Sequence, residues 1–279
     1  MIIRPTPALA VLLFGALFAA LPDQAAADAL GTSPASTQKS GALAEFTTGG
    51  NGWTQFADDD LVGNNGWVGP GRGGQPFDAE YLYFKRDGNL LSIGLQTGFN
   101  LATGAISYNS TSPNFWAGDL ALSFDASPTT YEYAIDFGLE TRDFHGHDPV
   151  GGGSGIHQAG LYGNVSWNND IYYTASGPFA MASGTLITDA LVGNTWVHNA
   201  DLQSYARIVT IDLGKVTALT GLLQSGFTLG AHWTMSCGND MIEGSAQVAP
   251  APVPEPASLC LFGIGLSALA GLRKRTANG

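Results

Sequence analysis

Histidine and aspartate side chains recur in one glycine-rich stretch, and both types bind metal ions. His145, His147 and Asp148 lie at positions i, i+2 and i+3, and His157 follows shortly after them. Imidazole and carboxylate ligands at this spacing reach one ion from a loop. Several glycines between 146 and 155 favour a solvated loop as the plainer alternative. The sequence therefore predicts a candidate transition-metal site at His145, His147, Asp148 and His157.

Carboxylates at two further places offer oxygen ligands for calcium. Asp58, Asp59 and Asp60 are consecutive, and Asp119 and Asp125 bracket an alternating segment. The twelve-residue EF-hand loop does not occur in the sequence. An exposed turn and acid-capped strand ends are the simpler interpretations of these two groups. We therefore predict no cofactor and leave Ca²⁺ open.

Three tryptophans lie in segments rich in glycine, asparagine and proline, and their rings could form a platform on which sugars stack. Exposed aromatic side chains are costly unless they bind something. Alternatively, they fold back on the ends of the domain. The candidate carbohydrate contacts are Trp53, Trp67 and Trp116.

The residues that could support catalysis do not form a recognisable motif. Glu132 and Asp136 are separated by i, i+4 on one predicted strand, about 13 Å apart by strand rise. That separation exceeds the distance between the carboxylates of a glycosidase. Cys237 is the single thiol before the C-terminal segment, and a lone cysteine is more often a small buried hydrophobe than a nucleophile. We therefore predict that the protein is not an enzyme.

The elements that must position these residues are short strands joined by turns. Alternating polar and apolar residues predict a hairpin of 79–86 and 89–97 across Asp87 and Gly88. A second hairpin is predicted for 161–167 and 170–174, and 215–223 alone has helical spacing. Further strands are predicted at 119–125, 131–137, 204–213 and 227–236. This pattern indicates an all-β fold, an antiparallel β-sandwich with a jelly-roll-like order over residues 41–247.

Composition agrees with an extracellular all-β domain. Charged residues are 12% of the chain, glycine occurs 38 times, and the net charge is -12. Nucleic acids need a basic surface, so an acidic protein of this kind is predicted not to bind them.

Residues 1–27 have the organisation of a secretory signal peptide. Arg4 precedes an uncharged apolar run over residues 8–21, and Ala25 and Ala27 are small residues placed for cleavage before Asp28. The run is too short to cross a bilayer as a helix. These features predict export through the Sec machinery, cleavage by signal peptidase, and a flexible segment at 28–40.

The C-terminus has three parts in order. A proline-rich linker covers 248–256, an uncharged apolar segment covers 257–272, and Arg273, Lys274 and Arg275 begin a basic tail at 273–279. Basic residues remain on the cytoplasmic side of a membrane helix. The sequence thus predicts a short transmembrane helix, with 273–279 in the cytoplasm and the body outside. A plain single-pass anchor is the alternative.

Val253, Pro254, Glu255 and Pro256, the glycine spacing at 263 and 265, and the terminal basic cluster together resemble the PEP-CTERM sorting signal. Such signals belong to Gram-negative bacteria that make exopolysaccharide. The resemblance implies an inner-membrane intermediate and cleavage near Glu255 by an exosortase, a membrane protease-transpeptidase. The product is then released or attached at the cell surface, often in a biofilm matrix.

Two segments of the body, 117–136 and 228–244, resemble uncharacterised PEP-CTERM bodies, which implies an all-β extracellular domain and no particular activity. The sequence thus predicts an exosortase-sorted surface or biofilm-matrix protein with a structural or adhesive role, and leaves contact with exopolysaccharide open. An extracellular polysaccharide-active enzyme and a calcium-stabilised binding module are the alternatives.

Overall fold

The computed structural model describes residues 41–48, 51–60, 72–107, 114–125, 130–152 and 158–250. The predicted signal peptide, the 28–40 segment, the apolar segment at 257–272 and the basic tail lie outside the described residues, as do Trp67 and His157. Thirteen strands are the main regular elements of the described structure. They are β1 (Thr54–Asp58), β2 (Ala79–Asp87), β3 (Leu90–Thr97), β4 (Ala105–Ser107), β5 (Asn114–Trp116), β6 (Leu120–Ser123), β7 (Tyr133–Asp136), β8 (Gly160–Asn168), β9 (Ala180–Leu186), β10 (Leu191–Asn199), β11 (Ser204–Asp212), β12 (Phe227–Thr234) and β13 (Met241–Val248).

Helices in the described ranges are short. The α-helices are α1 (Ala44–Thr47) and α2 (Leu222–Ser225), and 3₁₀ turns cover Gln75–Phe77, Thr174–Ser176, Leu213–Lys215 and Thr217–Leu219. The helix predicted for 215–223 is thus divided between two 3₁₀ turns and α2. Within the described ranges, every helix is too short to span a bilayer.

Two main sheets contain most of the strands. One has the order β1-β2-β3-β11-β10, the other the order β13-β12-β6-β7-β8-β9, and β4 and β5 form a separate pair. Every described pairing between these strands is antiparallel. The prediction of an all-β body built from antiparallel sheets is confirmed.

The strand order differs from the predicted jelly-roll-like order. Successive strands remain in one sheet over β1–β3 and again over β6–β9. In a jelly roll the chain crosses repeatedly between the two sheets. Short connections favour pairing between sequential strands, as the β2–β3 turn illustrates: Gly88 has a φ of +57°, a conformation that glycine adopts readily.

Side chains from both main sheets meet in one hydrophobic cluster. The five-stranded sheet contributes Leu82, Ile93 and Val209, and the six-stranded sheet contributes Leu122 and Trp233. Burial of this apolar surface is the main stabilising contribution to the body.

The β2–β3 hairpin is confirmed, and β2 is buried on both of its faces. Leu82 faces the main cluster, whereas Tyr81 and Tyr83 belong to a second cluster with Leu43 and Phe46. The Phe46 and Tyr83 rings stack with centroids 4.1 Å apart. The segment that contains α1 therefore covers the outer face of β2.

The second predicted hairpin is wrong in its partner strand. Strand β8 pairs with β9, not with 170–174. That segment turns instead, and the side chain of Ile171 packs with Val150 and Phe179 in a small separate cluster. Its apolar residues therefore pack between loops, although β-branched and aromatic residues of this kind are typical of a strand.

Candidate functional site

Three buried carboxylates meet where β1 and β2 lie side by side. Asp60 follows β1, Asp78 immediately precedes β2, and Glu80 lies within β2. The register places Asp58 opposite Tyr81, and the Asp59 amide donates to the Glu80 carbonyl at 2.9 Å. One carboxylate oxygen of each of Asp60, Asp78 and Glu80 lies within 4.8 Å of the others, and all three side chains are fully buried. We call Asp60, Asp78 and Glu80 the carboxylate cluster.

Neutral donors orient Glu80 within the carboxylate cluster. The Gln75 amide and the Ser204 hydroxyl donate to Oε1 at 2.6 and 2.7 Å, and the Gln96 amide donates to Oε2. Burial raises the pKa of Glu80 to about 7, against the opposing effect of these hydrogen bonds. Gln75 is itself held close to Gly98, where a Cβ would come within 1.6 Å of the Gln75 carbonyl oxygen. Only glycine leaves room there.

Hydrogen bonds connect Asp60 to β2 and to the chain segment before α1. Its Oδ2 accepts hydrogen bonds from the Tyr81 hydroxyl at 2.6 Å and from the Gly41 amide at 2.9 Å. The Gln96 amide that serves Glu80 also donates to the Gly41 carbonyl at 2.8 Å. The chain segment before α1 is thereby connected to two members of the carboxylate cluster.

Asp78 differs from its two neighbours. Both of its carboxylate oxygens are buried and lack a hydrogen-bond partner. Its backbone is well held, because its carbonyl accepts from Gly98 at 2.9 Å and its amide donates to Gln75 at 3.1 Å. Burial, together with the nearby charges of Asp240 and Glu80, raises the pKa of Asp78 to about 9.

Asp240, just before β13, brings a fourth carboxylate to this region. Its Oδ2 accepts from the Ala79 amide at 2.8 Å, and its side chain is buried. The described carboxylates here present only oxygen atoms, which are the ligands of hard cations such as Ca²⁺ and Mg²⁺.

The aspartates proposed from sequence as calcium ligands separate into different places. Asp60 enters the carboxylate cluster, but Asp119 immediately precedes β6 of the six-stranded sheet and lies near Asp136, and both of these are buried. Burial and, to a smaller extent, the charge of Asp136 raise the pKa of Asp119 well above its usual range. A hydrogen bond from the Met181 amide acts in the opposite direction. Asp125 is exposed and accepts from the Ser123 hydroxyl. The structure thus places Asp119 and Asp125 in separate environments.

The histidine-rich segment does not bring its described residues together as a ligand set. His145 Nδ1 pairs with Asp170, whereas the His147 ring packs 5.5 Å from the Trp116 ring centroid. Within the described ranges, the carboxylate cluster is the one group whose candidate ligand atoms all lie within reach of a single ion. His157 lies outside the described residues, so the four-residue metal site stays a prediction.

The predicted carbohydrate contacts have different surroundings. Trp116 is only 7% exposed, so its ring is covered and not available as a surface platform. Trp53 is half-buried, packs edge-on against Phe46, and has the Lys85 Nζ 4.7 Å from its ring centroid. Trp67 lies outside the described residues. Trp196, which was not among these predictions, is 50% exposed on β10 of the five-stranded sheet.

A surface groove of about 570 Å³ contains aromatic and amide side chains. Tyr131 and Trp167 line it together with Asn164, Asn169 and Glu132, which immediately precedes β7. The Trp167 Nε1 donates to the Tyr131 carbonyl at 3.0 Å, which holds the indole in place. Alternation alone could identify these strands but could not show that their aromatic residues share a groove.

Cys237 is a buried, free thiol. Burial raises its pKa to about 12, so the nucleophilic thiolate is disfavoured at neutral pH. This environment agrees with its interpretation as a packed core side chain.

Residues 252–275 match the family model of the PEP-CTERM protein-sorting motif. The chain therefore carries this motif, and the resemblance drawn from its C-terminus is confirmed. The motif implies export, a membrane-anchored sorting intermediate and processing by an exosortase. Neither the curated proteins nor the solved structures include a match to the chain.

Proposed function

We propose that this is a surface or biofilm-matrix protein with a structural or adhesive role, delivered outside the cell by exosortase sorting. The observation that carries the proposal is the sorting motif at 252–275. The motif begins at residue 252, shortly after the point where β13 ends at Val248. Sorting requires this arrangement, in which a folded body is followed by a C-terminal segment that is cleaved off.

The proposed route starts with Sec export and cleavage by signal peptidase between Ala27 and Asp28. Residues 257–272 then span the inner membrane, with the basic cluster from Arg273 to Arg275 in the cytoplasm. The exosortase cleaves near Glu255, and the body is released or attached at the surface.

The body acts in this proposal as a β-sandwich with a non-enzymatic role. The two antiparallel sheets that share one hydrophobic cluster support this description. The Tyr131–Trp167 groove supports contact with exopolysaccharide, because aromatic side chains with adjacent amides suit sugar rings. Glu132 is the one carboxylate among the described residues that line this groove, whereas most glycosidases use a pair. The groove therefore supports binding better than hydrolysis.

Mass spectrometry of the mature chain from its producing bacterium tests the sorting proposal. We expect the surface form to begin at Asp28 and to end near Pro254, Glu255 and Pro256. Replacement of all three of these residues by alanine should leave the tail uncleaved and hold the chain in the inner membrane. Thr276→Ala lies outside the matched residues and serves as the control. Surface or medium fractions that contain chains with an intact tail would contradict the proposal.

The carbohydrate contact makes a separate prediction. We expect Trp167→Ala to weaken binding of the full chain to exopolysaccharide purified from the producing bacterium by at least about tenfold, since it removes the main aromatic surface of the groove. Affinity measured by sedimentation with the polysaccharide checks this, and Trp196→Ala is the matched control. If both variants bind as the unsubstituted chain does, the groove is not the contact.

A further inference from the structure

We propose that Asp60, Asp78 and Glu80 bind a divalent cation, specifically calcium, between the end of β1 and the start of β2. This site is independent of the sorting proposal, because it depends on the folded body alone. Bound calcium would fix the α1 segment, β1 and β2 to one another, since Asp60 accepts from the Gly41 amide and Gln96 donates both to Glu80 and to the Gly41 carbonyl.

The spacing of the three carboxylates suits one ion. Calcium–oxygen distances are about 2.3–2.6 Å, so two oxygens on the same ion lie at most about 5 Å apart. The three ligand oxygens of the carboxylate cluster lie within 4.8 Å of one another. Without an ion, like charges at this separation repel, and burial strengthens the repulsion.

Asp78 supplies the second, independent observation. Its side chain is fully buried, and neither carboxylate oxygen has a hydrogen-bond partner. Burial of a carboxylate without a partner is costly, and such groups pair, bind metals or take up a proton. A cation between Asp78, Asp60 and Glu80 supplies the missing partner.

The surrounding hydrogen bonds place the other two carboxylates in advance. Gln75, Gln96 and Ser204 orient Glu80, and Tyr81 orients Asp60. An ionised carboxylate has about four acceptor positions, and the three hydrogen bonds to Glu80 leave one of them for an ion. Donors that orient metal ligands in this manner are typical of the outer shell of metal sites.

The chemistry of the ligands favours calcium. The carboxylate cluster offers oxygen alone, with neither imidazole nor thiolate among its members. Calcium accepts six to eight oxygens in flexible geometry, and backbone carbonyls and water usually complete the set. Asp240 lies near enough for its charge to act on Asp78 and adds to the negative potential.

The competing explanation is that Asp78 carries a proton and binds nothing, and Asp78→Asn separates the two. Asparagine has the shape of the protonated acid but lacks its charge. The matched control is Asp189→Asn, an exposed residue with a φ of +59°, a conformation that asparagine also tolerates.

The test is thermal unfolding and calorimetric titration of the full chain after treatment with a chelator. At calcium concentrations ten times the Kd, the unfolding midpoint of the unsubstituted chain and of Asp189→Asn should rise by about 3–6 °C. Asp78→Asn should bind calcium at least tenfold more weakly and should melt in chelator at or above the unsubstituted chain.

Three results would overturn the proposal. They are the absence of any calcium-dependent shift in the unsubstituted chain, full calcium affinity in Asp78→Asn, and an equal response to magnesium, which would exclude calcium as the specific ligand. If Asp78→Asn fails to fold, Glu80→Gln replaces it with the same expected loss. The titration of the unsubstituted chain decides on metal binding without any variant.

Discussion

Replacement of Trp233 by alanine should lower the free energy of unfolding by about 3–5 kcal/mol. Trp233 is fully buried in the cluster between the two main sheets. Its ring lies 6.0 Å from that of Phe99, and its Nε1 donates to the Gly118 carbonyl at 3.0 Å. The substitution therefore opens a cavity and leaves a buried carbonyl without its donor. For a domain stable by about 5–15 kcal/mol, this is a large fraction of the total.

Urea unfolding followed by far-ultraviolet circular dichroism measures this effect without relying on tryptophan fluorescence. Trp196→Ala is the matched control, because Trp196 is 50% exposed on β10, and it should change stability by less than about 0.5 kcal/mol. Equal unfolding midpoints for the two variants would mean that the cluster does not hold the sheets together. A destabilised body would also reach the cell surface in smaller amounts, since unfolded chains are degraded.

Local sequence patterns predict the β2–β3 hairpin because the information needed for it is local. Alternating residues on both sides of Asp87 and Gly88 determine the strands and the turn together. The β8–β9 pair lacks such a signal. The apolar residues of 170–174 have the composition of a strand that would pair with β8. The actual partner strand, β9, begins only at Ala180. Pairing across a longer loop depends on tertiary packing that no short window contains.

The carboxylate cluster likewise depends on tertiary pairing that a short stretch of sequence does not reveal. The run from Asp58 to Asp60 attracts attention as a set of oxygen ligands, but Asp78 and Glu80 resemble ordinary residues at the start of a hairpin. Only the antiparallel pairing of β1 with β2 brings Asp60 to the other two. Strand β1 was not predicted, because it is only five residues long and its side chains are partly or fully exposed. The sequence could therefore identify some of these carboxylates as candidate ligands, but it could not predict that they lie close together in the fold.

Arg207 is a buried charge that the alternation of β11 places on the same face as Val209 and Ile211, which belong to the main cluster. Its guanidinium donates to the Leu101 carbonyl at 3.1 Å and to the Phe137 carbonyl at 2.8 Å. Phe137 follows β7 of the six-stranded sheet, whereas β11 belongs to the five-stranded sheet. One side chain thus links the two sheets.

Arg207→Met should therefore destabilise the body by about 2–4 kcal/mol, because it retains an apolar stem but leaves two carbonyls without their charged donor. It also frees Asn194 Oδ1, which accepts from the Arg207 Nε at 2.8 Å. Urea unfolding measures the loss. Arg142→Met is the matched control: its side chain is 32% exposed and pairs with Glu140, so a loss of about 1 kcal/mol or less is expected. If Arg207→Met costs no more than the control, hydrogen bonds from Arg207 do not join the sheets, and apolar packing alone holds them.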